Sequence, residues 1–369
     1  MTTQKIILAA LVFAGLVAYP VIPGLDDALK NVLKHPFGAV LPTLFIFGIL
    51  GLSLNVVLGY AGQLHLGVAA FFGIGAFVAG ILRVDIYPFQ LGFWPTLLVA
   101  IAVTTLIGVL LSSPTLRLRG DYLALVTLGF GVITITLLRK FDEITGGKQT
   151  LNPIPPPSLP GFMEGPLGAI GINTDWLVDY RLYYYLNLFF LTGVYLVLWN
   201  LERSRLGRAW MAIREDELAA TCMGINAARL KLAAFAMSAG IAGMAGALYA
   251  TKMGSTLEPT FYDFQLSATI LCAVILGGLG NRNGVLLGIF FISGFEYLFA
   301  NILDGYLQRS NINPDGKSYL SFSNWKLMIF GLALILMMRF RPHGMLPEGR
   351  SETKKPESTA SAVPVNSNV

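Results

Sequence analysis

The sequence predicts an all-α fold, a polytopic transmembrane helix bundle of about ten spans with one broken or re-entrant segment. Three observations carry that class. Of 369 residues only 13% are charged and 54% are hydrophobic, whereas a soluble domain has roughly 25% charged residues. The apolar residues fall in blocks close to the ~20 residues of helix that cross ~30 Å of hydrocarbon. The net charge is a small +5, and Lys and Arg lie scattered between the blocks, as in cytoplasmic loops and unlike the dense patch of a nucleic-acid face.

Ten apolar segments follow one another, at approximately 6–22, 39–59, 60–82, 93–113, 122–138, 182–200, 231–251, 265–280, 284–303 and 322–338. The first has Lys5 before it and no small-x-small cleavage site ahead of Pro20 and Pro23, so it reads as an uncleaved helix. Only Gly59, Tyr60, Ala61, Gly62 and Gln63 join the second and third. That is too short and too glycine-rich for a solvated loop between full helices, and part of the region is expected to be unwound or re-entrant.

Placing both termini in the cytoplasm retains the larger share of the 26 Lys and Arg inside, as orientation by basic loops requires. It leaves the Pro- and Gly-rich stretch 139–181 outside and keeps the densely basic stretch 201–231 in. Residues 1–350 then form the membrane domain. The tail 351–369, rich in Ser, Pro, Glu and Lys, is too polar to bury a core and reads as a disordered cytoplasmic tail. Cys222 and Cys272 lie far apart, with neither a disulfide framework nor a CxxC site. No cofactor or metal motif is present.

The stretch 201–231 is charged yet periodic. Trp210, Met211, Ile213, Leu218 and Met223 alternate with Arg214, Glu215, Asp216 and Glu217, which suits a helix at the membrane surface ending in a turn at Gly224. It is either a plain connector or a surface that meets a partner protein.

Several motifs recur in order along the chain: GYAGQLHLGVAAFFGIGAF at 59–77, LRLRGDYLALVTLGFG at 116–131, TGG at 145–147 with IPPP at 154–157, and GRAWMAIREDELAATCMGIN at 207–226. KLAAFAMSAGIAGMAGALYA at 231–250, VILGGLGNRNGVLLG at 274–288 and MMRFRPHGMLPEGR at 337–350 follow. With them the chain resembles the permease subunits of bacterial ATP-binding-cassette importers, specifically the branched-chain amino acid permease family. The resemblance implies a multi-pass permease of the bacterial inner (plasma) membrane. It implies four kinds of partner: a homologous permease chain that completes a heterodimeric pore, two ATPase subunits, a periplasmic or lipid-anchored substrate-binding protein, and membrane lipid.

Importers of this kind dock their ATPase through a coupling helix with an Glu-Ala-Ala-x-x-x-Gly pattern. Ala219, Ala220 and Gly224 fit it, but Leu218 stands where the Glu belongs and Glu217 lies one position early. Small residues at Ala219 and Ala220 let a partner groove approach closely, Gly224 permits a turn, and Arg214 with Glu215 offers polar contacts. The chain has no GxxxxGK[ST] loop, and GGLGNRNG lacks its Lys and hydroxyl. ATP hydrolysis is therefore expected in the partners, and this chain is read as a non-catalytic transport subunit.

Candidates for the substrate path are Gly62, Gln63 and His65, where a broken helix exposes backbone amides and a helix N-terminus, and Glu296, a carboxylate in or near the ninth span. Gln63 and His65 could equally hydrogen-bond across the bundle, and Glu296 could reach the interface. Gly277, Gly278 and Gly280 form either a hinge or a tight turn at the cytoplasmic end of a span. The stripes Ala239, Gly243, Ala247 and Gly75, Ala79 allow close helix packing. Thr145, Gly146, Gly147 and the prolines of 153–160 lie outside, as part of a binding-protein surface or as an inert loop.

An ion-coupled secondary transporter would need ionisable residues in mid-span, which are scarce, and no HExxH or paired-carboxylate site marks an enzyme. The permease family also serves urea and short amides, but the TGG and IPPP elements look more like the amino acid branch.

Overall fold

The computed structural model describes residues 15–20, 37–115, 121–158, 176, 179–295, 322–341 and 344–346. Glu296, most of the first apolar segment and the tail 351–369 lie outside the described residues. Among the described residues the helices of six residues or more are α1 (Phe37–Asn55), α2 (Val68–Arg83), α3 (Phe93–Thr115), α4 (Asp121–Lys140), α5 (Tyr180–Arg203), α6 (Arg205–Glu215), α7 (Glu217–Cys222), α8 (Ala227–Met253), α9 (Phe264–Gly277), α10 (Arg282–Gly294) and α11 (Phe322–Phe340). There is no strand among the described residues. Among the described residues six helical segments are long and apolar enough to cross a membrane: 38–60, 93–114, 122–140, 180–203, 227–253 and 259–277, while α2 and α10 are shorter and apolar.

Helix α1 is apolar on every side, and its side chains are almost all buried, as expected of a helix enclosed by others. It packs against α5, α8, α9 and α10. Helix α8 owes its place beside α2 and α3 to small residues. A Cβ on Gly75 would lie 2.0 Å from the Gly243 carbonyl oxygen, and one on Gly246 would lie 1.9 Å from that of Phe72. Any side chain there would force the backbones apart. The Ala239, Gly243, Ala247 stripe is thus a packing surface, as such stripes are between helices that have no water to exclude.

The third apolar segment differs from its expected bounds of 60–82. Helix α1 widens into a π turn over Val56–Tyr60, residues 61–67 are irregular, and α2 begins only at Val68. Gly62 has φ +68°, in the left-handed region that other residues resist. The surface stretch also differs: Asp216 breaks it into α6 and α7. Its carboxylate accepts from the N–H of Leu218 at 2.8 Å and of Ala219 at 3.0 Å. It caps α7 while remaining exposed, because an Asp at that position satisfies amides that the new helix leaves free.

At the opposite end of the bundle the 145–157 stretch is fastened down. Thr145 Oγ1 donates to the Leu138 carbonyl at 2.6 Å, and Leu151 and Thr256 bond to each other at 3.0 and 3.1 Å. The buried Arg83 donates to Thr251 Oγ1 at 2.9 Å, to the Pro156 carbonyl at 2.9 Å and to the Pro155 carbonyl. A guanidinium with several fixed donors suits this use, since proline carbonyls have no nearby N–H of their own to accept.

Candidate functional site

The candidate site lies where the α6–α7 connector meets the break between α1 and α2. Ser204 caps α6 by accepting from the Gly207 N–H at 3.2 Å. Trp210, fully buried, donates its indole N–H to the Leu230 carbonyl at 2.7 Å. Lys231 Nζ donates to Glu217 Oε1 at 2.7 Å, and Ala220 packs with Ile213 and Ala227 in a small apolar cluster. The connector is thereby pinned to the first turns of α8.

These contacts divide the residues singled out from the sequence. Arg214 and Glu217 hydrogen-bond within the chain and Ala220 is buried, while Glu215, Ala219 and Gly224 are exposed. Gly224 has φ +84° with open space around it. Two residues stand out that spacing alone had not raised to site candidates: Leu218 is 72% exposed and Met223 is 84% exposed.

Arg214 turns the other way. Its Nη1 donates to the Gly59 carbonyl, inside the π turn, and a Cβ on Gly62 would lie 2.8 Å from Arg214 Cγ. The break is also held from α9 and α10: the Gly280 N–H donates to Asn55 Oδ1 at 3.0 Å. Beyond it, the Gln63 N–H reaches back to the Val57 carbonyl at 3.0 Å.

His65 is 1% exposed, with its ring 5.2 Å from that of Phe235 and 5.6 Å from that of Phe71. Neither of its ring nitrogens has a hydrogen-bond partner among the described residues, nor do Gln63 Oε1, Asn55 Nδ2 and Ser238 Oγ. Each orphaned buried group costs about 1–3 kcal/mol, and Asn55, Gln63 and His65 carry such groups at or next to the break. The α2 N-terminus, expected to offer amides to a ligand, is partly occupied by protein. The Leu66 N–H donates to Thr127 Oγ1 and the Ala69 N–H to Ser267 Oγ, both at 3.1 Å. The polar side chains, more than the helix end, are what this site offers.

The Gly277, Gly278, Gly280 turn is fixed on several sides. A Cβ on Gly277 would lie 2.1 Å from the Gly284 carbonyl oxygen, and the N–H groups of Met345 and Leu346 donate to the carbonyls of Leu276 and Gly277 at 2.9 and 3.1 Å. Arg282 pairs with Glu202 at 3.0 Å and lies over the Tyr195 ring.

The family described as the branched-chain amino acid transport system permease component matches residues 37–338, which takes in both the connector and the break. The chain belongs to this permease family. It is 38% identical over 320 residues to the high-affinity branched-chain amino acid transport system permease protein LivM of Salmonella typhimurium, covering 84% of this chain and 69% of that one. The same identity and coverage hold for LivM of Escherichia coli. The probable branched-chain amino acid transport permease protein LivM of Methanocaldococcus jannaschii is 26% identical over 339 residues, covering 82% and 91%. No solved structure matches the chain. Within this permease, the residue that sequence reasoning missed at the far end is Arg83; the only signal for it was a lone cation ending an apolar segment.

Proposed function

We propose that this chain is the membrane-spanning subunit of an ATP-binding-cassette importer, forming with a homologous permease the pathway for branched-chain amino acids. Two ATPase subunits drive it and a periplasmic or lipid-anchored binding protein loads it. The observation that carries this reading is the α6–α7 connector, which holds Leu218, Ala219 and Met223 outward while its own interior is pinned to α8. Membership of the permease family and the printed activity of the LivM relatives support the substrate class. The chain is a non-catalytic partner, and ATP is hydrolysed elsewhere in the assembly.

In this reading residues 1–350 form about ten spans, with both termini and the tail 351–369 in the cytoplasm of the bacterial cell. Placement of Arg203, Arg214, Arg282 and Arg339 at the connector's end of the bundle by chain direction supports that orientation. Gln63 and His65 line the substrate path; the packing of the His65 ring against Phe71 and Phe235 is where that path would open. Glycines 277, 278 and 280 make a braced turn rather than a hinge. Thr145–Gly147 and the proline run present a rigid surface to the binding protein. Glu296 keeps the role of a further path residue.

The test is co-purification of the tagged chain in mild detergent, with leucine-loaded binding protein added to the complex. Recovery of a homologous permease and ATPases, and stimulation of hydrolysis by the loaded binding protein, is the expected result. A chain that purifies alone and catalyses ion-dependent uptake in liposomes overturns it, and stimulation by urea- or amide-loaded binding protein alone overturns the substrate class.

A further inference from the structure

We propose that Arg214 is the positioning residue through which movement of the ATPase-facing connector reaches the substrate path. The inference rests on the importer reading of the connector and goes beyond it in naming the link. A displacement of α6 and α7 by a docked partner does nothing unless it is carried to the groups that face substrate, and coupling of that kind needs a continuous physical contact. Arg214, in the last turn of α6, supplies one.

Two contacts of different kind make the link stiff. The guanidinium donates to the Gly59 carbonyl, which sits in a π turn, where the regular i to i−4 ladder is interrupted and carbonyls are open to side chains. The aliphatic stem lies under Gly62, where a Cβ would come 2.8 Å from Cγ, 3.2 Å from Cβ and 3.3 Å from Cα of Arg214. The backbone from Gly59 to Gly62 therefore bears on this one side chain, both by hydrogen bond and by contact. Gln63, whose Oε1 lacks a partner, and His65, whose two ring nitrogens lack one among the described residues, follow within three residues. Across the break Asn55 ties the same turn to Gly280, so the Gly59 region is held between two anchors. Moving one anchor shifts the turn against the other. Trp210 and Glu217 meanwhile fasten the connector to α8, which also packs on the π turn; Arg214 is the connector side chain that hydrogen-bonds directly to the break.

A substitution series separates the parts of this contact. Arg214→Met keeps the stem and removes the hydrogen bond, Arg214→Lys restores a charged donor without the planar fork, and Arg214→Ala removes both. The readout, in the complete complex reconstituted with ATPases and loaded binding protein, is substrate imported per ATP hydrolysed. In Arg214→Met the ATPases remain bound in wild-type amount and hydrolysis continues, while import per ATP falls at least about tenfold; Arg214→Lys recovers part of it. An unchanged ratio in both Met and Ala variants overturns the proposal. Loss of the ATPases from a folded Arg214→Met protein also overturns it, since Arg214 would then be a docking residue.

A measurement on the wild-type complex stands independently of whether the variants fold. Hydrogen exchange at the amides of residues 59–66 changes when the bound ATPases take up non-hydrolysable nucleotide. No change there overturns the relay. Failure of ATPases to bind even the wild-type chain is a different result, and removes the importer reading instead.

Discussion

Glu217 Oε1 accepts a hydrogen bond from Lys231 Nζ at 2.7 Å, and the lysine is almost wholly buried while the carboxylate is about one-third open. The acid of the connector is therefore turned back onto α8 instead of facing a partner. Lys231→Met leaves Glu217 without its cation and costs about 1–2 kcal/mol, between the values of exposed and fully buried pairs. The double exchange Glu217→Lys with Lys231→Glu recovers most of that loss. Thermal unfolding of the detergent-solubilised chain checks both, and a double variant no more stable than either single one would show that the pair does not hold the connector.

Leu218→Glu and Met223→Glu leave the fold unchanged, because both side chains are mostly exposed and surface changes of this kind stay within about 0.5 kcal/mol. If the connector is the docking surface proposed above, both abolish recovery of the ATPases in co-purification, since a charge replaces apolar contact there. Glu215→Lys weakens the association without affecting insertion. Gly224→Val adds about 1–2 kcal/mol of left-handed strain at φ +84° and loosens the turn that ends the connector. Wild-type ATPase recovery in all four would move the docking surface elsewhere.

Arg83→Met frees the carbonyls of Pro155 and Pro156 and removes the bond to Thr251. Residues 150–158 become more accessible to protease, while the rest of the bundle keeps its protection. Stimulation of ATP hydrolysis by the loaded binding protein falls, and basal hydrolysis stays. Limited proteolysis alongside the ATPase assay separates a loosened outer surface from general unfolding, in which basal hydrolysis would fall too.

The break between α1 and α2 was legible because two glycines and three other residues cannot form a water-filled loop between two spans. The close packing of α8 was legible from its four-residue stripe of small side chains. What stayed hidden were partners distant in the chain. Arg83 meets Thr251 and Pro156, and Arg214 meets Gly59; a polar residue on a periodic helix reads the same whether it faces solvent or a backbone carbonyl of another element. Asp216 is exposed, as its charge suggests, but two amides of α7 also make it a cap. Spacing sees a face; it does not see a local competition for hydrogen bonds.

His65→Leu separates the two roles left open by its burial. The ring is 1% exposed, packs against Phe71 and Phe235, and has no hydrogen bond on either nitrogen among the described residues. If packing were its whole use, a leucine of similar volume would serve as well, and removing two unpaired polar atoms would favour the folded state. The expected result is a melting temperature equal to or above that of the wild type together with uptake reduced by about tenfold, a change of ~1.4 kcal/mol in the barrier. Gln63→Leu behaves alike, because its Oε1 is unpaired too. Stability and uptake moving in opposite directions is the signature of groups kept for the passing substrate at a cost to the closed bundle. Uptake at the wild-type rate in both variants would assign the two side chains to packing alone.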